Sequence, residues 1–463
     1  MHVRILRLLI LSALVYCCTT NNVFGETLSG DEKVDLVWES LKDRKQVLPD
    51  EITLAHLIDL ALQNNSSTRQ AWQDQRIALF EKRQSMGSYL PTVSVSGNFS
   101  RDKIKDSIRT HDRNQMSYGP KVNAEYLVFD FGKRFFSYKE TAEMFTSLDL
   151  QYKQVVQDVM LQVEENYYNF YGVQAALKAA GSDLDNAKTL YDAAQKRFDA
   201  GVVAKIDVIQ AKSSYENSRY LLENAKGELQ TAKANIAEVI GVPADADLNI
   251  VTPLDETLPV SIQKEDVSSL IEQAIINRHD IASMRASVIS KKAALNAATA
   301  NLFPSISIGG EWQKNWYQYY SEEKHREHDN EYSGAVTVNW DIFDGFANLN
   351  ARGQAKEEFK KEKEILLALE LSASKEVWIK YHNYETAVKK LEYSQSSFEA
   401  SSDLYRLVLE GYENGIKSML DLTSAQATLQ TAKSSLVSSK KDLFIAIKDL
   451  SHAIGSISVE NDI

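Results

Sequence analysis

Two hydrophobic rhythms alternate along the chain. From residue 92, Val93, Val95 and Phe99 fall on one side and Thr92, Ser94, Ser96 and Asn98 on the other. That is the period-two pattern of a strand with one apolar face. Val122, Ala124, Tyr126 and Val128 alternate likewise with Lys121, Asn123 and Glu125. Ile306, Ile308 and Trp312 against Ser305 and Ser307, then Val336, Val338, Trp340 and Ile342 against Thr337, Asn339 and Asp341, predict two more strands. The two hairpins occupy about 92–131 and 305–343, with charged loops at 101–117 and 321–331 joining their strands. Trp312, Trp316, Trp340, Tyr317, Tyr319 and Tyr320 gather around the second hairpin, as an interfacial aromatic belt would. The alternation alone also suits a half-buried sheet in a soluble sandwich, so the strands leave both readings open.

The second rhythm has a period of seven. Between Gly132 and Gly201 the chain has no proline and only two glycines, Gly172 and Gly181, which predicts about 68 helical residues and a length of ~100 Å. Val163, Phe170, Leu177, Leu184, Tyr191 and Phe198 mark successive heptads, as do Val377, Tyr384, Leu391, Phe398, Tyr405 and Tyr412. Leu422, Leu429, Leu436, Leu443 and Leu450 then alternate with Ala425, Ala432, Ser439, Ala446 and Ala453. Heptads pairing large with small residues specify closely packed coiled-coil helices. A helix of that length cannot fold back within one compact domain, so the molecule is a rod.

The chain also repeats itself at an offset of 213 to 214 residues. Leu57, Ala61 and Asn64 recur as Leu270, Ala274 and Asn277, and Phe129-Asp130 recurs as Phe343-Asp344. Gly201 and Asp207 recur as Gly415 and Asp421. Two homologous repeats follow, 51–241 and 265–455, with long helices at about 133–240 and 346–454. A linker, 242–264, carries Pro243, Pro253 and Pro259, and segments 26–50 and 456–463 flank the repeats.

Composition narrows the class. A formal net charge of -12 argues against nucleic-acid binding, which needs a basic face. Residues 1–25 read as a signal peptide, with Arg4 and Arg7 before an apolar run and Val23-Phe24-Gly25 as the cleavage site. Lipidation of Cys17 or Cys18 stands as the alternative processing. Nothing after residue 25 reaches ~18 consecutive apolar residues, so membrane entry, if it occurs, is by strands. His325 and His328, with Glu322, Glu323 and Glu327, read as a solvated charge run, and no metal site or cofactor is expected. P-loop, zincin, nucleophile-elbow and C-x-x-C motifs are missing from the sequence, which points away from an enzyme.

Four amphipathic strands cannot close a barrel, for which eight is about the minimum, whereas three copies would supply twelve. The expected fold is mainly α with a membrane β-barrel portion: a trimeric twelve-stranded barrel continuing into a long α-helical coiled-coil barrel. The sequence resembles the TolC-like outer-membrane efflux protein family across about 51–455. The resemblance rests on Tyr126-Leu127-Val128-Phe129-Asp130-Phe131-Gly132 and Trp340-Asp341-Ile342-Phe343-Asp344-Gly345, and on two helix-turn motifs. These motifs are Gly201-Val202-Val203-Ala204-Lys205-Ile206-Asp207-Val208 and Gly415-Ile416-Lys417-Ser418-Met419-Leu420-Asp421-Leu422.

The resemblance implies a homotrimer in the outer membrane of a Gram-negative bacterium, with a long periplasmic portion. It implies a periplasmic entrance that opens on docking with a periplasmic adaptor and an inner-membrane pump. The expected function is the exit duct of a tripartite efflux system. The alternatives are the exit duct of a type I protein-secretion system and a non-conducting coiled-coil protein of the envelope. Gly201, Val202, Val203, Ala204, Gly415, Ile416 and Ser418 would form the adaptor-docking tips. Asp421 matches an aspartate that rings the family's entrance, although Asp is also favoured where a helix starts. Ser424 stands where a second aspartate would double that ring. Asp207, Tyr412 and Lys417 match residues that latch the entrance, with Lys in place of a bidentate Arg.

Overall fold

The computed structural model describes residues 49–104, 113–252, 266–319 and 326–456. The signal-peptide segment and the rest of 1–48 lie outside them, as do Glu322, Glu323, His325 and the end of the tail. Two short helices, α1 (Leu54–Asn64) and α2 (Ser66–Gly87), lead into strands β1 (Thr92–Ile104) and β2 (Arg113–Phe129). The long helix α3 (Lys133–Asp199) turns sharply into α4 (Lys205–Val239). The order then repeats as α5 (Val267–Asn277), α6 (His279–Ala300), β3 (Ser305–Tyr319), β4 (Arg326–Asn339), α7 (Ala347–Glu413) and α8 (Met419–Ile454). Both α3 and α7 have 67 residues, hence ~100 Å each.

The strands form one antiparallel sheet in the order β1-β2-β3-β4. Its register aligns the apolar sets seen in the sequence: Val95 opposes Val122, Val122 opposes Trp312, and Trp312 opposes Tyr332. That face is uncovered, with Val95 at 73% and Tyr332 at 79% exposure. The other face is polar and carries a 2.8 Å ion pair between Lys121 and Glu311. β1 pairs only with β2, and β4 only with β3, so both outer edges of the sheet present unpaired backbone.

The structure corrects the expected loops. β1 runs on to Ile104, β2 starts at Arg113 and β4 at Arg326, so much of 101–117 and 321–331 is strand. Ladder hydrogen bonds are indifferent to side-chain polarity, and a 13-residue strand tilted by ~40° still rises about 33 Å. Such a strand is only a few ångströms longer than a hydrocarbon layer of about 30 Å, so only its terminal residues would extend beyond one. At the other end β4 stops at Asn339, and Ile342 N–H donates to the Trp340 carbonyl in a turn rather than continuing the ladder.

The duplicated Phe-Asp signature is a strand-to-helix joint. Asp130 accepts from the N–H groups of Gly132 and Arg134 at 3.2 and 2.9 Å, and from the Arg134 guanidinium at 3.0 Å. Asp344 accepts from the Asn348 N–H at 2.8 Å. Each joint needs two consecutive residues with positive φ: Phe131 and Gly132, then Gly345 and Phe346. One is glycine each time, and the phenylalanine carries a left-handed cost of about 1–2 kcal/mol.

Packing along the rod follows the heptads. Ala211, Ser218, Ala225 and Ala232 of α4 are buried, as are Ala425, Ala432, Ser439, Ala446 and Ala453 of α8. Leu429 and Leu436 between them are only half-buried. Small residues mark the line where helix backbones approach most closely. A larger apolar cluster, including Leu57, Val163, Phe170 and Ile236, seats α1 and α4 on α3. Among the described residues no helix is long and apolar enough to cross a membrane.

Candidate functional site at the helix tips

The rod ends where α3 turns into α4 and α7 into α8. In the first turn Gly201 adopts φ +75°, and the Val202 N–H reaches back to the Arg197 carbonyl at 2.8 Å. In the second, Gly415 adopts φ +75° and the Ile416 N–H reaches the Gly411 carbonyl at 2.7 Å. Both are left-handed helix ends, which glycine meets without strain. Nothing lies within 4 Å of a Cβ placed at either glycine, so backbone conformation alone demands the residue.

The tips are apolar and open. Val202 is 64% exposed and Ile416 79%; Ala204 is exposed and Val203 half-buried. Beneath them one cluster joins all four long helices: Ala194, Ala211, Val408, Tyr412, Met419 and Leu422. A groove of about 520 Å³ runs beside it between α3 and α7, lined by Leu190, Arg197, Tyr405, Leu409 and Tyr412 among others.

Ser418 and Asp421 form a reciprocal cap on α8. The Asp421 N–H donates to the Ser418 hydroxyl at 3.2 Å, while the Ser418 N–H donates to the Asp421 carboxylate at 3.0 Å. The Ser418 hydroxyl also donates to that carboxylate, at 2.9 Å. These bonds, the backbone one foremost, hold the Asp421 carboxyl below the ordinary aspartate range. Ser418 therefore has a structural duty in addition to its place on the expected docking surface. Ala204, the equivalent position before α4, caps with no side chain.

The residues expected to latch the entrance are only partly brought together. Tyr412 is buried and its phenol lies within the influence of Asp207; burial first, and then that carboxylate, push the phenol up. Its hydroxyl has no hydrogen-bond partner among the described residues. Lys417 lies along Gly411 instead, and among the described residues no ion pair joins it to Asp207. The cation on Tyr412 is Arg197, centred 4.9 Å from the ring and donating to the Tyr412 carbonyl at 3.5 Å. Sequence reasoning missed Arg197, because its distance to Tyr412 depends on how two coiled coils lie side by side. A basic residue in the last turn of α3 was the only local signal.

Comparison with known proteins places this architecture. The family profile described as outer membrane efflux protein matches twice, over residues 57–242 and 270–456. The chain belongs to the outer membrane efflux protein family. Among curated relatives, protein CyaE of Bordetella pertussis is 24% identical over 383 residues, 82% of this chain and 78% of that one. The probable efflux pump outer membrane protein TtgC of Pseudomonas putida is 22% identical over 386 residues, 81% and 77% of the two chains. Among solved structures, the Vibrio cholerae outer membrane protein VceC superposes with a TM-score of 0.74 at 15% identity, covering 87% of this chain and 96% of that one. The open state of the Neisseria gonorrhoeae MtrE outer membrane channel gives 0.73 at 21%, covering 87% and 88%. An outer membrane efflux protein is a channel component of the outer membrane, and the long helices with their shared tip cluster are its helical-barrel part.

Proposed function

We propose that the protein is the outer-membrane exit duct of a tripartite efflux system, working as a homotrimer. The observation that carries this is a four-stranded sheet with one exposed apolar face and two unpaired edges, continuous with helices ~100 Å long. An open edge in lipid leaves backbone groups unsatisfied, at several kcal/mol each, so copies must pair edge to edge. Three sheets give twelve strands with the polar face inward, and three sets of long helices extend that lumen into the periplasm. Tips with exposed Val202 and Ile416 over a ready-made apolar cluster suit docking by the helical end of a periplasmic adaptor. Energy and substrate choice then come from the inner-membrane pump, and the duct needs no catalytic step of its own.

Crosslinking tests the reading. Cysteines at Val202 and Ile416 should capture the adaptor in cells, whereas a cysteine at Lys103 should not, because β1 and the tips lie at opposite ends of α3. Capture from Lys103 alone would invert the orientation. A second reading, a protein-secretion duct, is favoured by a relative 23% identical over 193 residues, the Pseudomonas aeruginosa alkaline protease secretion protein AprF. The class of pump recovered with the adaptor decides between the two.

A further inference from the structure

The two repeats meet along a seam inside the chain, and the two open edges of the molecule carry the equivalents of its two sides. Within the first hairpin, pairing ends at Thr92 opposite Glu125, and within the second at Ser305 opposite Asn339. These ends are equivalent at the repeat offsets of 213 and 214 residues. β2 nevertheless continues to Phe129, because there it pairs with β3 across the seam, Tyr126 opposite Ile308 and Phe129 opposite Ile306. The equivalent run of the second repeat, Trp340 to Phe343, is not strand, and among the described residues no strand adjoins that side of β4. Its Ile342 and Phe343 are exposed. The second repeat thus carries a strand end whose seam partner lies outside the chain.

The opposite edge carries the matching half. There β1 is the equivalent of β3, and α2 is the equivalent of α6. Both α2 and α6 pack on the long helix of their own repeat, but α6 also packs on α3 across the seam. Ser290, Ala293 and Ala297 of α6 are buried, and the Ser290 hydroxyl donates to the Glu140 carbonyl of α3 at 2.9 Å. Their equivalents on α2, Ile77, Phe80 and Gln84, are all exposed. At the strand-to-helix joints, Phe129 and Phe131 meet edge-on, and Phe131 stacks on Phe303 of the second repeat at 5.2 Å. Phe343 and Phe346 form the same edge-on pair at 5.3 Å, and the equivalent of Phe303 is Leu90, exposed at the other edge.

We propose that copies join by repeating the internal seam: β4 extends to Phe343 and pairs with β1 of the next copy, Val336 opposite Phe99 and Thr337 opposite Asn98. This is the register of β2 on β3, Val122 opposite Trp312 and Asn123 opposite Glu311, carried over by the repeat offsets. It keeps Val336 and Phe99 on the apolar face and Thr337 and Asn98 on the polar one, whereas a one-residue slip would mix the faces. The Phe343–Phe346 pair then lies against Leu90 of the next copy, and α7 covers Ile77 and Phe80 of its α2. Such a join is head-to-tail and closes after three copies, so it rests on the homotrimer reading and adds the register.

Paired cysteines in the full-length, detergent-extracted protein read this register. Directly opposed residues of antiparallel strands have Cα atoms about 4.5–5.5 Å apart, within disulfide range, whereas diagonal neighbours lie ~7–8 Å apart. Because β1 and β4 are opposite edges of one chain's sheet, a disulfide between them joins two copies. Thr337→Cys with Asn98→Cys, and Val336→Cys with Phe99→Cys, should on mild oxidation link most chains into a three-chain species that reductant dissociates. Each single variant should give none of it, which also controls for Cys17 and Cys18. Thr337→Cys with Ser96→Cys or Ser100→Cys, displaced by two residues, should link several-fold less. Stronger linking through Ser96 or Ser100 than through Asn98 would overturn the register and leave the trimer standing. So would the absence of linking in both matched pairs, in particles that still have the mass of three chains. Wild-type particles with the mass of one chain would overturn the trimer and the register together.

Discussion

Replacing Gly119 with alanine should abolish the assembled channel. A Cβ built there lies 1.8 Å from the Lys314 carbonyl oxygen and 2.9 Å from its carbon, both backbone atoms of the adjoining strand. The register passes from Tyr118–Trp316 to Lys121–Gln313 across this point, where Pro120 can donate no ladder bond. Glycine lets the two backbones close over the gap. Neither strand can yield without breaking the pairing on both sides, so the cost is ~3 kcal/mol or more per chain. Every copy in a closed barrel would bear it. Wild-type protein extracted in detergent should have the mass of about three chains, while Gly119→Ala should give little or no such particle. Gly97→Ala is the control, since nothing lies within 4 Å of its Cβ on the outer strand β1. If both variants assemble equally, the sheet at Gly119 is looser than this geometry and the closure argument loses its central pair.

Periodicity made the architecture legible because it reports which faces are buried, and burial is what selects strands of period two and helices of period seven. The small-residue rows of α4 and α8 are buried as the heptads require. The charged ends of the strands were not legible, since polarity is read as loop wherever the water boundary is unknown. Gly119 gave no warning either: the close approach depends on a neighbour almost two hundred residues away. At the tips, the turn glycines follow from chain direction alone. The arrangement of Arg197, Tyr412 and Lys417 does not, because it depends on the crossing of two coiled coils. A helix-start role for Asp421 was legible from its residue type, but its reciprocal partner Ser418 was assigned only to the docking surface, and the same aspartate could serve a lumen.

At that aspartate, capping and ion selection can be separated by substitution. Asp421→Asn keeps an oxygen able to accept from the Ser418 N–H and hydroxyl, so the start of α8 should survive while the charge goes. In a trimer the wild-type carboxylates raise the local cation concentration. In planar bilayers the wild-type channel should prefer cations, and Asp421→Asn should move the reversal potential in a salt gradient toward zero. Hydrogen bonds from Ser418 hold this carboxyl below the ordinary range, so its charge is lost only as pH falls through that depressed value. The preference should therefore be steady from neutral pH down to about pH 5. Lys417 is a positive charge close enough to lower Asp421 further, so Lys417→Ala should sharpen the cation preference. Conductance should respond to a different residue. Arg197 ties the end of α3 to Tyr412 at the end of α7, a contact of about 0.5–1 kcal/mol at a partly exposed site and repeated in each copy. Arg197→Ala should raise conductance and leave the reversal potential nearly unchanged, while Lys417→Ala does the reverse. An unchanged reversal potential in Asp421→Asn would reduce Asp421 to a helix cap. An unchanged conductance in Arg197→Ala would leave closure to the apolar cluster of Val408, Tyr412, Met419 and Leu422.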